Sequence, residues 1–110
     1  MVEDFSEEVQ SLIEEFKSTG FEYGKKIEYL LFRNKINKKE YFQEELTHLK
    51  NLKFTAKQTT NGEIRYVLYF VYSRSKGRAY AVTFRDMIRI ITIYPLGRTT
   101  LRKYHVQKFK

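Results

Sequence analysis

The sequence predicts an α+β domain in which N-terminal helices pack on one face of a four-stranded antiparallel sheet. Three observations lead there. Apolar residues recur with a helical period over residues 1–50 and with a two-residue period over 51–97. Short turn signals then divide the second stretch into strand-length pieces. Strands joined this tightly must be antiparallel neighbours, and the helices that precede them must cover one face of their sheet. At 110 residues, with 42% hydrophobic and 16% aromatic content, the chain has room for a single domain and one core. One Pro and five Gly argue against disorder.

Residues 4–19 read as the first helix. Phe5, Val9, Leu12, Ile13 and Phe16 lie on one side of a 3.6-residue repeat. Asp4 is the expected N-cap, Glu7 its capping-box partner, and Gly20 the stop. A second helix is predicted from about Tyr23 to Lys35, burying Ile27, Leu30 and Leu31. A third takes Asn37 as its cap with Glu40 at the capping-box position, and carries Phe42, Leu46 and Leu49 on one stripe. Phe32 to Lys39, between those two, forms a basic elbow with Arg33, Lys35, Lys38 and Lys39.

After Leu52 the pattern becomes that of strands. Lys53–Thr60, Asn61-Gly62 and Ile64–Ser73 predict a hairpin, because both residues of an Asn-Gly turn accept positive φ. Ile64, Tyr66, Leu68, Phe70 and Tyr72 share one face of its second strand; Arg65, Val67, Tyr69 and Val71 share the other. Arg78–Arg85 is the third strand and Met87–Tyr94 the fourth, with a tight turn at Asp86 between them. Residues 98–110 read as a basic tail or short helix.

Composition removes several classes of function. Without cysteine there is no disulfide framework, thiolate nucleophile or Cys-ligated zinc, and the chain fits a reducing, cytoplasmic setting. The acidic start has no secretory-signal pattern, and the apolar run Val67–Tyr72 is far too short to span a bilayer, so no membrane partner is expected. With two His and dispersed carboxylates, neither a metal site nor another cofactor is expected, and the isolated turn glycines Gly77 and Gly97 form no phosphate loop.

Charge supplies the functional signal. Residues 1–50 hold 8 Lys/Arg against 11 Asp/Glu, while residues 51–110 hold 13 against 2, so the net +8 sits in the second half. Such a field attracts polyanions. The candidate nucleic-acid contacts are Arg74, Lys76, Arg78, Arg85, Arg89, Lys103 and Lys108, with Arg65, Arg98 and Arg102 in the same basic set. Planar guanidinium groups suit phosphate oxygens. The plain alternative is a solvated strand face on which arginines resist edge aggregation. Arg98, Arg102, Lys103, Tyr104 and His105 bring two guanidiniums, an ammonium, a phenol and an imidazole within eight residues. Metal-independent RNA cleavage needs such parts: a group to take the 2′-OH proton, one to protonate the leaving oxygen, and cations for the phosphorane charge. His105 is the titrating group near neutrality. A tail that anchors nucleic acid without cutting it is the alternative. His48 is read as a packed or surface residue. Tyr66, Phe70 and Phe84 are expected in the core, while Tyr69 and Tyr72 are open to either a packing or a base-stacking role.

GEIRYV at 62–67 and AVTFRDMIRIITIYPLGRTTLRKYH at 81–105 resemble the C-terminal portion of the BrnT toxins, within the RelE-like group of small ribonuclease toxins. The resemblance covers about two-fifths of the chain. It implies a compact sheet with helices on one side, metal-independent endoribonuclease activity, RNA rather than DNA as target, and an antitoxin protein that masks the basic face. Carried over, it places Arg65 on the strand leading to the active face and Arg98, Arg102 and Tyr104 in the functional C-terminal run. With His105 these form the candidate catalytic set. Those families begin with a strand, where this sequence predicts helix. Two other functions compete: a non-catalytic DNA- or RNA-binding accessory protein, and a homodimer in which the acidic half of one copy docks on the basic half of another.

Overall fold

The structure, a computed structural model, describes residues 3–102. Of the candidate site residues, Lys103, Tyr104, His105 and Lys108 lie outside the described residues. The elements run α1 (Ser6–Phe16), β1 (Phe21–Tyr23), α2 (Ile27–Asn34), α3 (Glu40–His48), β2 (Leu52–Thr60), β3 (Glu63–Val71), β4 (Gly77–Arg85) and β5 (Met87–Pro95). A last helix, α4, begins at residue 98 and is helical through 102. No helix among the described residues is long and apolar enough to cross a membrane.

The α+β class stands, and the N-terminal helices α1–α3 pack on one face, but the sheet has five strands, ordered β1-β5-β4-β3-β2. The added strand corrects both the four-stranded count and the all-helical reading of residues 1–50. Phe21–Tyr23 pairs with β5 in parallel, Phe21 against Ile88 and Tyr23 against Ile90. Backbone bonds from Ile88 N to Gly20 O (3.1 Å) and from Gly24 N to Ile90 O (2.7 Å) extend that pairing. Three residues carry no periodicity of their own, so only the partner strand 67 positions away makes them a strand. The predicted second helix therefore starts late, at Ile27.

Helix ends also moved. Phe5, not Asp4, occupies the N-cap position of α1. Asp4 still serves that end: its Oδ1 accepts from Ser6 N at 3.1 Å, and from Thr55 N at 3.0 Å on the edge of β2. The carboxylate thus joins the helix start to the outer strand. α3 begins after Lys39, so Asn37 is not its cap. α2 and α3 end on left-handed residues, Lys35 and Leu49.

The hairpin formed as expected, with Asn61 (φ 51°) and Gly62 (φ 80°) both positive. The core lies between the helices and one sheet face. Val9 and Ile13 of α1, Leu30 of α2, and Phe42 and Leu46 of α3 meet Tyr66, Leu68 and Phe70 of β3, Tyr80 and Val82 of β4, and Ile88, Ile90 and Ile93 of β5. Tyr80 stands at its centre, edge-on to Phe42 (6.0 Å) and to Phe70 (5.2 Å). Such ring contacts contribute about 0.5–1.5 kcal/mol each beyond buried area.

Candidate nucleic-acid interface

Strand alternation and register decide which basic groups can meet a ligand. On β3 the residues Tyr66, Leu68 and Phe70 face the helices, so Arg65, Val67, Tyr69 and Val71 face away. Cross-strand partners share a face: Val67 opposes Ala56 and Ala81, while Tyr69 opposes Phe54 and Ala79. Ala79 and Ala81 in turn oppose Tyr94 and Thr92 of β5. This second face, open only outside the buried Val67, Val71 and Ala79, is therefore a shallow strip of small residues between aromatic ones. Tyr69 and Tyr94 hydrogen-bond across Ala79, and burial pushes the Tyr94 phenol up from its ordinary value.

One end of this face is covered. Leu96 and Leu101 pack with Val67, Val71 and Ala79, so α4 lies over the end where β3 and β5 finish and β4 begins. Gly77 permits the approach, because a Cβ there would stand 2.8 Å from Leu101 Cδ2 and 2.8 Å from the Phe70 carbonyl oxygen. Arg98 and Arg102 flank Leu101 at i, i+4 spacing, on one stripe of α4. Arg74 and Lys76, in the β3–β4 loop, belong to the same end. All four are exposed and none forms an ion pair among the described residues.

The other end holds Arg65, Arg85 and Arg89. Arg65 Nε bonds Glu63 at 2.8 Å and Arg89 reaches Glu22 at 3.7 Å, while Arg85 is exposed and unpaired among the described residues. Pairs this exposed contribute ~0–1 kcal/mol and yield readily to a phosphate. Six residues of strand separate Arg65 from Val71 at the α4 end, roughly 20 Å at ~3.3 Å per residue. Arg65 therefore lies toward the opposite end of the sheet from Arg98 and Arg102, so these three members of the candidate catalytic set are not brought together along the strand.

Arg78 corrects the binding set more sharply. It lies on the helix side, paired with Phe70 in register, and is 8% exposed. Its Nη1 donates to Glu45 Oε1 (3.0 Å) and Tyr72 OH (2.8 Å), and its Nε to Asn34 Oδ1 (3.3 Å). Its guanidinium also sits 5.2 Å from the Tyr41 ring centre. The phenols of Tyr72 and Tyr80 donate to Glu45 as well. Burial, then the Glu45 carboxylate, drives both phenols far above their usual value. With three donors on one carboxylate, from Arg78, Tyr72 and Tyr80, Glu45 is a clamp between α3, β3 and β4. The signal was present in the sequence: Arg78 alternates in phase with Tyr80, Val82 and Phe84.

The aromatic expectations resolve in the same way. Tyr66 and Phe70 are buried, Phe84 packs against the core, and Tyr72 is committed to Glu45. Tyr69 belongs to the open face. His48 is exposed on α3, its Nδ1 2.9 Å from the Glu44 carbonyl oxygen. Among the described residues no three His, Asp or Glu side chains gather in a way that would hold a metal ion. Comparison with family models, with curated proteins and with solved structures finds no match to this chain.

Proposed function

We propose that this chain binds nucleic acid along the open face of its sheet, with α4 as the principal phosphate contact, and that it acts on RNA as a small metal-independent endoribonuclease. The observation that carries the binding reading is the group Arg74, Lys76, Arg98 and Arg102, exposed and unpaired among the described residues at one end of that face. Between residues 64 and 102 the sole acidic residue is Asp86, in the turn at the opposite end. The cleavage reading is supported by the sequence resemblance and by the chemistry of its C-terminal run. Arg98 and Arg102 would stabilise charge on phosphorus, and His105 or Tyr104 would move protons. Arg65 has a different role here, as a contact to a flanking phosphate. A protein that inhibits such a face would be acidic and would cover α4.

Incubation of total RNA in EDTA tests this directly. Wild type is expected to produce fragments, and Arg102→Ala and His105→Ala to reduce cleavage by two orders of magnitude or more (~10²–10⁴ for a general acid–base group). Intact RNA with folded wild type would remove the cleavage reading. Non-catalytic binding is then the second reading, favoured by the division of the basic groups between two ends about 20 Å apart. That spacing suits a grip on several nucleotides. It predicts retention of RNA or DNA that weakens linearly in log affinity against log salt, without fragments.

A further inference from the structure

The basic elbow is more than charge. Of the four large hydrophobic residues exposed among the described residues, three, Tyr29 (51%), Phe32 (86%) and Tyr41 (43%), lie on α2 and the first turn of α3; the fourth, Ile64, is on β3. α2 buries Leu30 and Asn34, which turns Glu28, Tyr29, Phe32 and Arg33 outward. Residues 25–39 hold six Lys/Arg against Glu28 alone. Lys25, Lys26, Lys35, Lys38 and Lys39 are exposed and make no ion pair among the described residues. A rim of fixed positive charge around rings that gain by being covered is the pattern that holds single-stranded nucleic acid, where bases stack and phosphates meet cations.

Two features give this surface shape. Arg33 lies between two rings, 6.0 Å from the Tyr29 centroid and 5.7 Å from that of Tyr94. Rings rather than a carboxylate hold it, so its charge stays available, and Tyr94 makes it continuous with the open sheet face. Beyond Phe32, at the α2–α3 elbow, Lys35, Asn37, Lys38 and Tyr41 line a depression of about 470 Å³, with Glu40 and Glu44 on its wall. We infer that the outward stripe of α2 is a stacking site for single-stranded nucleic acid, in which Phe32 takes a base and Lys35 and Lys38 take adjacent phosphates. The inference rests on the nucleic-acid reading above and adds to it a strand form and a second contact surface. The two acids on the wall of the depression repel phosphate as well, which leaves the backbone contacts to the lysine side.

The test is anisotropy of a labelled single-stranded oligonucleotide and of a duplex of equal length, with wild type, Phe32→Ala, Phe32→Trp, Lys35→Ala/Lys38→Ala and Arg98→Ala/Arg102→Ala. Phe32 is nearly free of neighbours, so its replacement leaves the fold intact, which circular dichroism checks. Phe32→Ala is expected to lower single-strand affinity by roughly 5- to 100-fold, with the salt slope unchanged because no charge is lost. Phe32→Trp should retain affinity, and the duplex should be indifferent to both. The double lysine variant should reduce the salt slope by about 1.4, at ~0.7 per single-strand phosphate contact. If Arg98→Ala/Arg102→Ala abolishes binding while Phe32→Ala changes nothing, the α2 site is wrong and the sheet-face reading stands. If wild type binds neither oligonucleotide, both fall. Self-association that Phe32→Ala dissolves, without effect on nucleic acid, would make the stripe a protein contact and overturn the inference.

Discussion

Arg78 and Glu45 show how one residue can reverse an inference drawn from charge. Counted as a cation, Arg78 belongs with the phosphate-binding groups; placed by register, it is a structural arginine bonded to Asn34, Glu45 and Tyr72. Breaking one side of a buried pair leaves the other uncompensated, at about 3–5 kcal/mol. Glu45→Ala is therefore expected to destabilise the fold by about 3 kcal/mol in urea unfolding without altering the salt slope of nucleic-acid binding, and Arg78→Met to behave likewise. Arg102→Ala should do the opposite. The tyrosines give a pH prediction. Tyr66, Tyr72 and Tyr80 are raised above the ordinary phenol value of ~10, through burial and then their carboxylate partners. The unfolded chain releases those protons first, so the stability they confer is complete below pH ~10 and is lost as pH rises beyond it. Ultraviolet titration should show these phenols ionising only together with alkaline unfolding. At the acid side, Lys57 and then Tyr66 hold the exposed Glu8 carboxyl below its usual value. Its contribution is present above pH 4.5 and fades as pH falls through the lowered value, so Glu8→Gln should flatten that part of the acid limb.

At the scale of elements, the docking of α4 and the pairing of β1 are the weak links. α4 touches the sheet through Leu101, beside Leu96 of the preceding turn, over Gly77. Gly77→Ala has no room for its methyl, since backbone blocks one side and Leu101 the other. The expected result is release of α4 with the helix-side core kept: cleavage after Arg98 or Arg102 in limited trypsin digestion, and a Tm a few degrees lower. Retained protection would mean that the chain end is held elsewhere. Local signals made α1, the β2–β3 hairpin and the Asp86 turn readable, because each is dictated within a few neighbours: an apolar stripe, an Asn-Gly pair, one residue at φ 68°. β1 was not readable, because its three residues become a strand by pairing with β5. The cap of α3 failed for a related reason: several polar residues before Glu40 could serve, and packing of Phe42 and Leu46 chose the start.

For the whole molecule, the question is where the surplus of positive charge faces. The acidic N-terminal half spends part of its charge on a local link, Glu14 with Lys17 at 3.0 Å, and on one to the sheet, Glu8 with Lys57 of β2 at 2.8 Å. Glu45 is internal. Among the described residues, most of the remaining cations lie at the α4 end, at the Asp86 end and along the α2 elbow, three patches joined by the open face and by the Arg33–Tyr94 contact. A ligand that spans two patches should bind more tightly than one that reaches a single patch. Affinity measured against oligonucleotide length should therefore rise steeply until the ~20 Å between the sheet ends is bridged, then level off. A curve without such a rise would mean that one patch acts alone.

Composition and periodicity were enough for the α+β class, the hairpin and the lopsided charge, and for the order of elements apart from β1. These properties are additive or local, and a chain carries them before it folds. Whether a given arginine meets solvent or Glu45, and whether two basic runs adjoin or stand 20 Å apart, depends on register between strands. So does the exposure of Phe32, since its helix could have turned that ring inward. Strand pairing and helix packing are choices among many contacts of similar energy, and tertiary structure alone makes them.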